Sequence, residues 1–182
     1  LGTGRAGTVW LAVHIGLEEY RAIKRISKRD ADYDTFRREA LVLKELRHPG
    51  IPMIYDLEED SEFFYLIEEY LEGYSLYALI ANQGPIQEAE AVRYGMQVCG
   101  LVAYMHSACE LPILHLDLQP NNLIICNGTV KLIDFDHAAG CRWANIAPKR
   151  FGTVGCAAPE QYASDRMLDQ RTDIYAIGAV LR

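Results

Sequence analysis

Hydrophobic and polar residues change rhythm once along this chain, and the change divides it. In the first seventy positions apolar residues come in short runs between turn formers. A Gly-rich turn spans Gly2 to Gly7, then Thr8 to Val13 and Tyr20 to Ile26 predict strands of a small sheet. Between Tyr33 and Leu46 the period lengthens: Phe36, Ala40 and Leu43 recur at helical spacing among charged residues, and His48-Pro49-Gly50 predicts the stop. Met53 to Leu57 and Phe63 to Glu68 predict two further strands. Beyond Gly73 helical periodicity takes over and a second lobe begins. Its longest segment is Ile86 to Ser107, with Val92, Met96, Cys99 and Ala103 expected on one face. Leu123 to Cys126 and Val130 to Ile133 flank Asn127-Gly128, a pair suited to the two left-handed positions of a type I′ turn, and predict a hairpin.

Composition narrows the function classes. The chain has 182 residues, 50% of them hydrophobic and 24% charged, enough for a packed core. Its net charge of -7 offers no counter-charge to a polyphosphate backbone or an anionic lipid surface, so neither nucleic acid nor membrane contact is expected of this segment. The five cysteines are odd in number, scattered and free of any CxxC pair, which predicts reduced thiols in the cytoplasm rather than a disulfide frame or a zinc site. No apolar stretch approaches the roughly 20 residues a membrane-spanning helix needs. The chain opens without a strand before Gly2 and stops at Arg182 inside an apolar pattern, so a fragment is expected, with an exposed apolar surface that leaves it marginal or aggregation-prone in isolation.

Three segments carry candidate chemistry. Gly2-Thr3-Gly4-Arg5-Ala6-Gly7-Thr8-Val9 fits G-x-G-x-x-G-x-V, in which missing Cβ atoms let backbone N–H groups approach phosphate oxygens. Alone it fits an ordinary Gly-rich hairpin better. A dinucleotide fold is disfavoured because a strand, not a helix, follows. Next comes Ala22-Ile23-Lys24, where Ala22 and Lys24 share a strand face. Many strand lysines simply face solvent. Glu39, however, sits near Phe36 and Leu43 on the inner side of the following helix, where a carboxylate needs a cation, and Lys24 is the expected partner. The third segment is His115-Leu116-Asp117-Leu118-Gln119-Pro120-Asn121-Asn122, followed after the hairpin by Asp134-Phe135-Asp136. Asp117 can orient a hydroxyl and accept its proton, while Asn122 and Asp134 offer the hard oxygens that Mg²⁺ prefers.

The last two motifs resemble H-R-D-L-K-P-x-N and D-F-G of the protein kinase family. Gly152-Thr153-Val154-Gly155-Cys156-Ala157-Ala158-Pro159-Glu160 resembles the stretch ending in A-P-E, and Asp173 to Gly178 resembles the start of the buried helix of the large lobe. The resemblance covers the whole chain and is nearest the bacterial, eukaryotic-like Ser/Thr kinases. It implies an α+β, bilobal fold: a small antiparallel sheet lobe with one helix over residues 1–72, and a mainly helical large lobe, incomplete at its C-terminal end, over residues 73–182. It implies transfer of the ATP γ-phosphate to a protein Ser or Thr with Mg²⁺.

Residue by residue, the resemblance implies that Gly2, Gly4, Gly7 and Val9 cover ATP, that Ala22 packs on the adenine, and that Lys24 holds the α/β-phosphates while paired with Glu39. Backbone groups of Glu69 and Leu71 would meet the adenine edge, and Ile124 would close the pocket from the other lobe. Asp117 would be the base, with Asn122 and Asp134 as metal ligands. His115, Phe135, Leu43 and Ile54 match a column of side chains that forms when the lobes are aligned, although plain core packing would place them together too. Thr153 matches the threonine that Ser/Thr-specific members set beside the base; its alternative is a turn hydrogen bond.

Four positions depart from the family pattern. Leu116 replaces the arginine that receives a phosphorylated activation loop, and from His137 to Gly152 the loop has no Ser, Thr or Tyr, so activity independent of loop phosphorylation is expected. Gln119 replaces a lysine, which predicts slower chemistry. Asp136 replaces glycine and adds a carboxylate near the metal. Glu68 stands at the back of the adenine pocket, where it is expected to compete with Glu39 for Lys24. These departures keep two alternatives open: a kinase-like binding or scaffold protein without turnover, and a small-molecule phosphotransferase of the aminoglycoside or choline kinase type, whose sequences also carry strings like Ile133-Asp134-Phe135-Asp136.

Overall fold

The computed structural model of the chain describes residues 1–4, 7–31, 33–140, 151–163 and 165–182. The tip of the Gly-rich turn, Cys141 and positions 141–150 of the loop expected to act without phosphorylation lie outside the described residues.

The strand-rich first part forms one antiparallel sheet. Its strands are β1 (Gly2–Gly4), β2 (Gly7–His14), β3 (Glu19–Ser27), β4 (Ile54–Glu59) and β5 (Phe63–Glu69), in the order β1-β2-β3-β5-β4. Alternation along β3 buries Ala22, Lys24 and Ile26 against the helix side, while Arg25 lies beneath the ring of Phe63 on the other face. At Gly7, whose φ is 144°, an added Cβ would stand 2.2 Å from the Arg25 carbonyl oxygen, so only glycine lets β2 leave the turn this close to β3.

Helix α1 (Tyr33–Glu45) packs against this sheet through Phe36, Ala40 and Leu43, each buried, with Phe36 stacked on Phe64 at 4.8 Å. Asp34 in its first turn and Lys44 in its last complement the helix dipole.

From Tyr74 the chain turns helical. After β6 (Tyr74–Ser75), Ser75 caps α2 (Leu76–Gln83) by accepting from the Ala78 N–H at 3.1 Å. Helix α3 (Glu88–Ser107) follows. A short strand β7 (Ile113–Leu114) leads to the segment around Asp117, and the predicted hairpin appears as β8 (Leu123–Cys126) and β9 (Thr129–Leu132). Asn127 and Gly128 take φ of 49° and 78°, the left-handed pair a type I′ turn requires. Strand β10 (Ala139–Gly140) pairs with β7. The last helix, α4 (Gln170–Val180), starts at a capping box in which the Asp169 carboxylate accepts from the Arg171 N–H at 2.9 Å.

One expectation fails here. The face of α3 carrying Val92, Met96, Cys99 and Ala103 lies exposed, Met96 at 71%, and the buried face is Tyr94, Val98, Leu101, Val102 and Met105. Both sides of this helix are apolar, so periodicity alone offered two candidates. The choice falls to the neighbours, since α3 packs against β7, β9 and α4.

A single apolar cluster spans both parts of the chain, from Ile26, Leu43 and Leu66 to Leu101, Leu123, Leu132 and Phe135. Tyr104 on α3 bonds both the N–H and the carbonyl of Arg47 at 2.8 and 2.9 Å, and the Leu132 N–H donates to the Gly50 carbonyl at 2.8 Å. These bonds tie the end of α1 to the helical part and fix the sheet over the Asp117 segment.

Candidate active site

Register along β2, β3 and β5 sets the first half of the site. Val9 lies opposite Lys24, Leu11 opposite Ala22, and Ala22 in turn opposite Glu68. Lys24 therefore projects from the buried face of β3 toward α1, and its Nζ lies 3.1 Å from both Glu39 carboxylate oxygens. The predicted ion pair is present. Two further carboxylates join it: Asp134 Oδ1 accepts from Nζ at 3.1 Å, and Asp136 Oδ1 accepts from it as well.

Competition for Lys24 thus comes from Asp136, not from Glu68 as the sequence suggested. Glu68 faces Ala22, one inward-facing pair along the ladder from Lys24 and Leu66, and makes no hydrogen bond to Nζ among the described residues. Asp136 reaches Nζ because Asp134 adopts φ 64°, a left-handed conformation costly for a non-glycine residue, and buried Phe135 anchors the turn.

Three carboxylates around one ammonium give unequal proton affinities. Burial works against the charge on Lys24, but Glu39, Asp136 and Asp134 outweigh it and hold the ammonium protonated beyond the ordinary lysine range. Burial pushes the Glu39 carboxyl well above its usual range, with Lys24 opposing and Asp136 adding to the rise. Asp134 moves up for the same reasons, whereas at Asp136 burial is outweighed by the Lys24 ammonium together with hydrogen bonds to Glu39, Lys24 and Asp134, and the value falls. Glu68 is raised to about 7 by burial, against the pull of Lys24.

The second half of the site is built on the segment between β7 and β8. Asp117 is ringed by neutral donors. The Thr153 hydroxyl donates to its Oδ1 at 2.7 Å, and the Gln119 and Asn122 side-chain amides donate to its Oδ2 at 2.9 and 3.2 Å. Asn122 also holds the Asp117 carbonyl at 2.9 Å, which commits its Nδ2 and leaves its amide oxygen as a hard donor. The Ile133 N–H donates to the Asn122 carbonyl at 3.0 Å, bringing Asn122 beside the strand end that carries Asp134. The Asp134 side chain is 39% exposed, whereas Asn122, the other expected metal ligand, is buried. Oxygens of Glu39, Asp134 and Asp136 also lie within 4.8 Å of one another, but the Lys24 ammonium is bonded to all three.

Of the expected column, the contact between His115 and Phe135 is seen directly. His115 and Phe135 are fully buried with ring centroids 5.0 Å apart, edge to face, and Phe135 shares its apolar cluster with Leu43 and Ile54. Burial depresses the His115 pKa against the nearby carboxylates and keeps the ring neutral, so Nε2–H donates to the Ile133 carbonyl at 3.2 Å while Nδ1 accepts from the Asp117 N–H.

The remaining expected residues lie around these two centres. Gly2 and Gly4 pair with Val9 and Gly7, and Ile124 sits on β8 opposite Ser75 and Lys131. Glu69 ends β5 with its N–H bonded to the Met53 carbonyl at 2.8 Å. Backbone groups of Leu71 take no hydrogen bond among the described residues, which leaves them open to a ligand.

Two residues were missed from sequence. Asp173, fully buried, accepts from the N–H groups of His115 and Leu116 at 2.9 Å each and meets His106 Nε2 at 2.9 Å. Leu116 itself has φ 66°, and the Asp173 carboxylate holds that left-handed turn in place. Gln161, also buried, accepts from the Ala158 N–H and donates to the carbonyls of Leu116 and Phe151. Asp173 was visible in the sequence only as the start of the last helix, and Gln161, beside Glu160, carried no signal.

A family profile for the protein kinase domain matches residues 1–182. The chain belongs to the protein kinase family. It is 35% identical over 189 residues to the serine/threonine-protein kinase PrkC of Bacillus subtilis, covering 100% of this chain and 28% of that protein. It is 32% identical over 182 residues to the putative sperm motility kinase W of Mus musculus, covering 36% of that protein. A fungal Aurora kinase from Eremothecium gossypii is 34% identical over 191 residues, with 49% of its length covered. The kinase domain described here thus spans between about a quarter and a half of the length of these relatives. They come from a bacterium, a mammal and a fungus alike, and do not assign the chain to bacteria.

Proposed function

We propose that this protein is an ATP-dependent protein serine/threonine kinase, in which Asp117 receives the proton of a substrate hydroxyl as the γ-phosphate is transferred. The observation that carries this reading is the Thr153 hydroxyl, 2.7 Å from Asp117 Oδ1, in a centre otherwise lined by neutral amides. That arrangement fits a site for a Ser or Thr side chain, and the Asp117 oxygens are aimed by neutral donors rather than by a cation.

In this reading residues 1–72 bind the nucleotide and residues 73–182 carry the acceptor chemistry. Gly2, Gly4, Gly7, Val9, Ala22 and Ile124 enclose ATP, with Glu69 and Leu71 at the adenine edge. Lys24, positioned by Glu39, holds the α/β-phosphates. Asn122 and Asp134 have the donor chemistry to hold Mg²⁺, which when bound would neutralise charge on the phosphates. The domain would act in the cytoplasm on a protein carrying Ser or Thr, and no helix among the described residues is long and apolar enough to cross a membrane.

The test is transfer of labelled γ-phosphate from MgATP to the protein and to a Ser/Thr substrate mixture, with Asp117→Asn alongside. Label on Ser or Thr that falls about 10²-fold or more in the variant is the expected outcome. Nucleotide binding without labelled protein would favour the scaffold reading, and label on a small alcohol alone the small-molecule phosphotransferase reading.

A further inference from the structure

Lys24 is the side chain that the kinase reading places on phosphate oxygens, and its hydrogen-bonding capacity is already spent. An ammonium has three N–H donors. Around Lys24 Nζ stand four acceptors: both oxygens of Glu39, Asp134 Oδ1 and Asp136 Oδ1. No donor remains for a phosphate, so a nucleotide that reaches Nζ must first displace one of these carboxylates.

The three are not equally easy to displace. Glu39 is buried, 5% exposed, in the middle of α1, and moving it means moving the helix. Asp134 has the more exposed side chain, 39% against 17% for Asp136, but the kinase reading commits it to Mg²⁺, and its departure still leaves two Glu39 oxygens and one Asp136 oxygen on the three N–H donors. Asp136 sits in a turn closed by the Ala138 N–H to the Phe135 carbonyl at 3.0 Å, and a rotamer change takes its carboxylate off Nζ without moving a helix. Its carboxylate also carries the same charge as the group that would replace it.

We infer that Asp136 is a tethered mimic of a nucleotide phosphate: in the empty site it occupies the Lys24 ammonium, and ATP binds only by exchanging with it. The inference rests on the kinase reading of the site and adds a self-blocking contact to it. Asp136 lowers ATP affinity by competition for Lys24 and by repulsion, while a ligand lacking phosphates is indifferent to it.

The experiment measures binding rather than turnover. The purified protein, its Asp136→Asn variant and its Asp136→Gly variant are titrated calorimetrically with ATP, with and without Mg²⁺, and with adenosine. Losing a charge-assisted bond that competes with the ligand should tighten ATP about tenfold or more in both variants, in either condition, while adenosine affinity stays constant. The Asn variant keeps the side-chain shape, so the comparison survives if the Gly variant folds poorly, and adenosine binding reports an intact pocket. ATP affinity unchanged or weaker in the Asn variant, with adenosine retained, overturns the inference alone. Tightening without Mg²⁺ but weakening with it overturns it in favour of Asp136 as a metal ligand. Failure of all three proteins to bind either ligand overturns the nucleotide-binding reading, and the inference with it.

Discussion

Two carboxylate centres of the molecule are held in opposite ways. Around Lys24, three carboxylates crowd one buried ammonium, and the excess negative charge moves proton affinities in both directions. Around Asp117, one carboxylate is surrounded by a hydroxyl and two amides, with no cation bonded to it among the described residues. The first centre is rigid and electrostatically strained, and it suits holding a charged ligand in place of one of its own members. The second is satisfied yet uncharged in its surroundings, which suits a group that must take up a proton. Gln119 belongs to this contrast: where the family pattern has a cation, this chain puts another neutral donor on Asp117 Oδ2.

The contrast breaks most completely at Lys24. In Lys24→Met three carboxylates lose the one cation bonded to all of them among the described residues, so phosphoryl transfer should fall by about 10²-fold or more, and chemical denaturation should show a loss of about 3–5 kcal/mol. Loss of transfer with unchanged stability would mean that the cluster is not coupled to the fold.

At the other centre, Thr153→Val removes one neutral donor from Asp117 while keeping the side-chain shape. A roughly tenfold drop in transfer with little change in thermal unfolding is expected, from the cost of one hydrogen bond to a charged group. An equal fall in melting temperature would make Thr153 a structural residue.

The smallest effect sharpens the contrast through pH. Glu68 lies near Lys24, Asp134, Asp136 and Glu69, and its pKa rises on folding from an ordinary 4.5 to about 7. Between those values the folded chain binds the proton that the unfolded chain has released, so Glu68 lowers stability progressively as pH rises from about 4.5 through 7, and imposes no penalty below that window. Melting temperatures of the protein and of Glu68→Gln, followed from pH 5 to 8, should therefore diverge, with the variant losing less. Parallel curves would place the titration elsewhere.

The activation segment shows a second device visible only in three dimensions. Leu116, standing where a phosphate-binding arginine is expected, is buried with Leu114 and Leu168 against Ala139 and Phe151, and Phe151 stacks on His137 at 4.6 Å. Apolar packing and the Gln161 bonds hold this segment where other members use charge.

What the sequence determined by itself was whatever depends on local spacing. Period-2 and helical patterns located the sheet, α1 and the Asn127-Gly128 hairpin, because backbone conformation there follows from neighbouring residues. Motif spacing brought Lys24, Glu39, Asp117, Asn122 and Asp134 into view, because each is tied to a turn or strand that short-range chemistry specifies. Tertiary structure alone decided among alternatives that local rules leave equal. It chose which apolar face of α3 is buried, since both satisfy the same period and only β7, β9 and α4 distinguish them. It chose Asp136 over Glu68 as the rival for Lys24, since that depends on strand register and on the left-handed turn at Asp134. It also gave Asp173 its place beneath the Asp117 segment, a contact across 57 residues of chain that no pattern along the sequence encodes, because hydrogen bonds between distant segments are set by how the whole core closes.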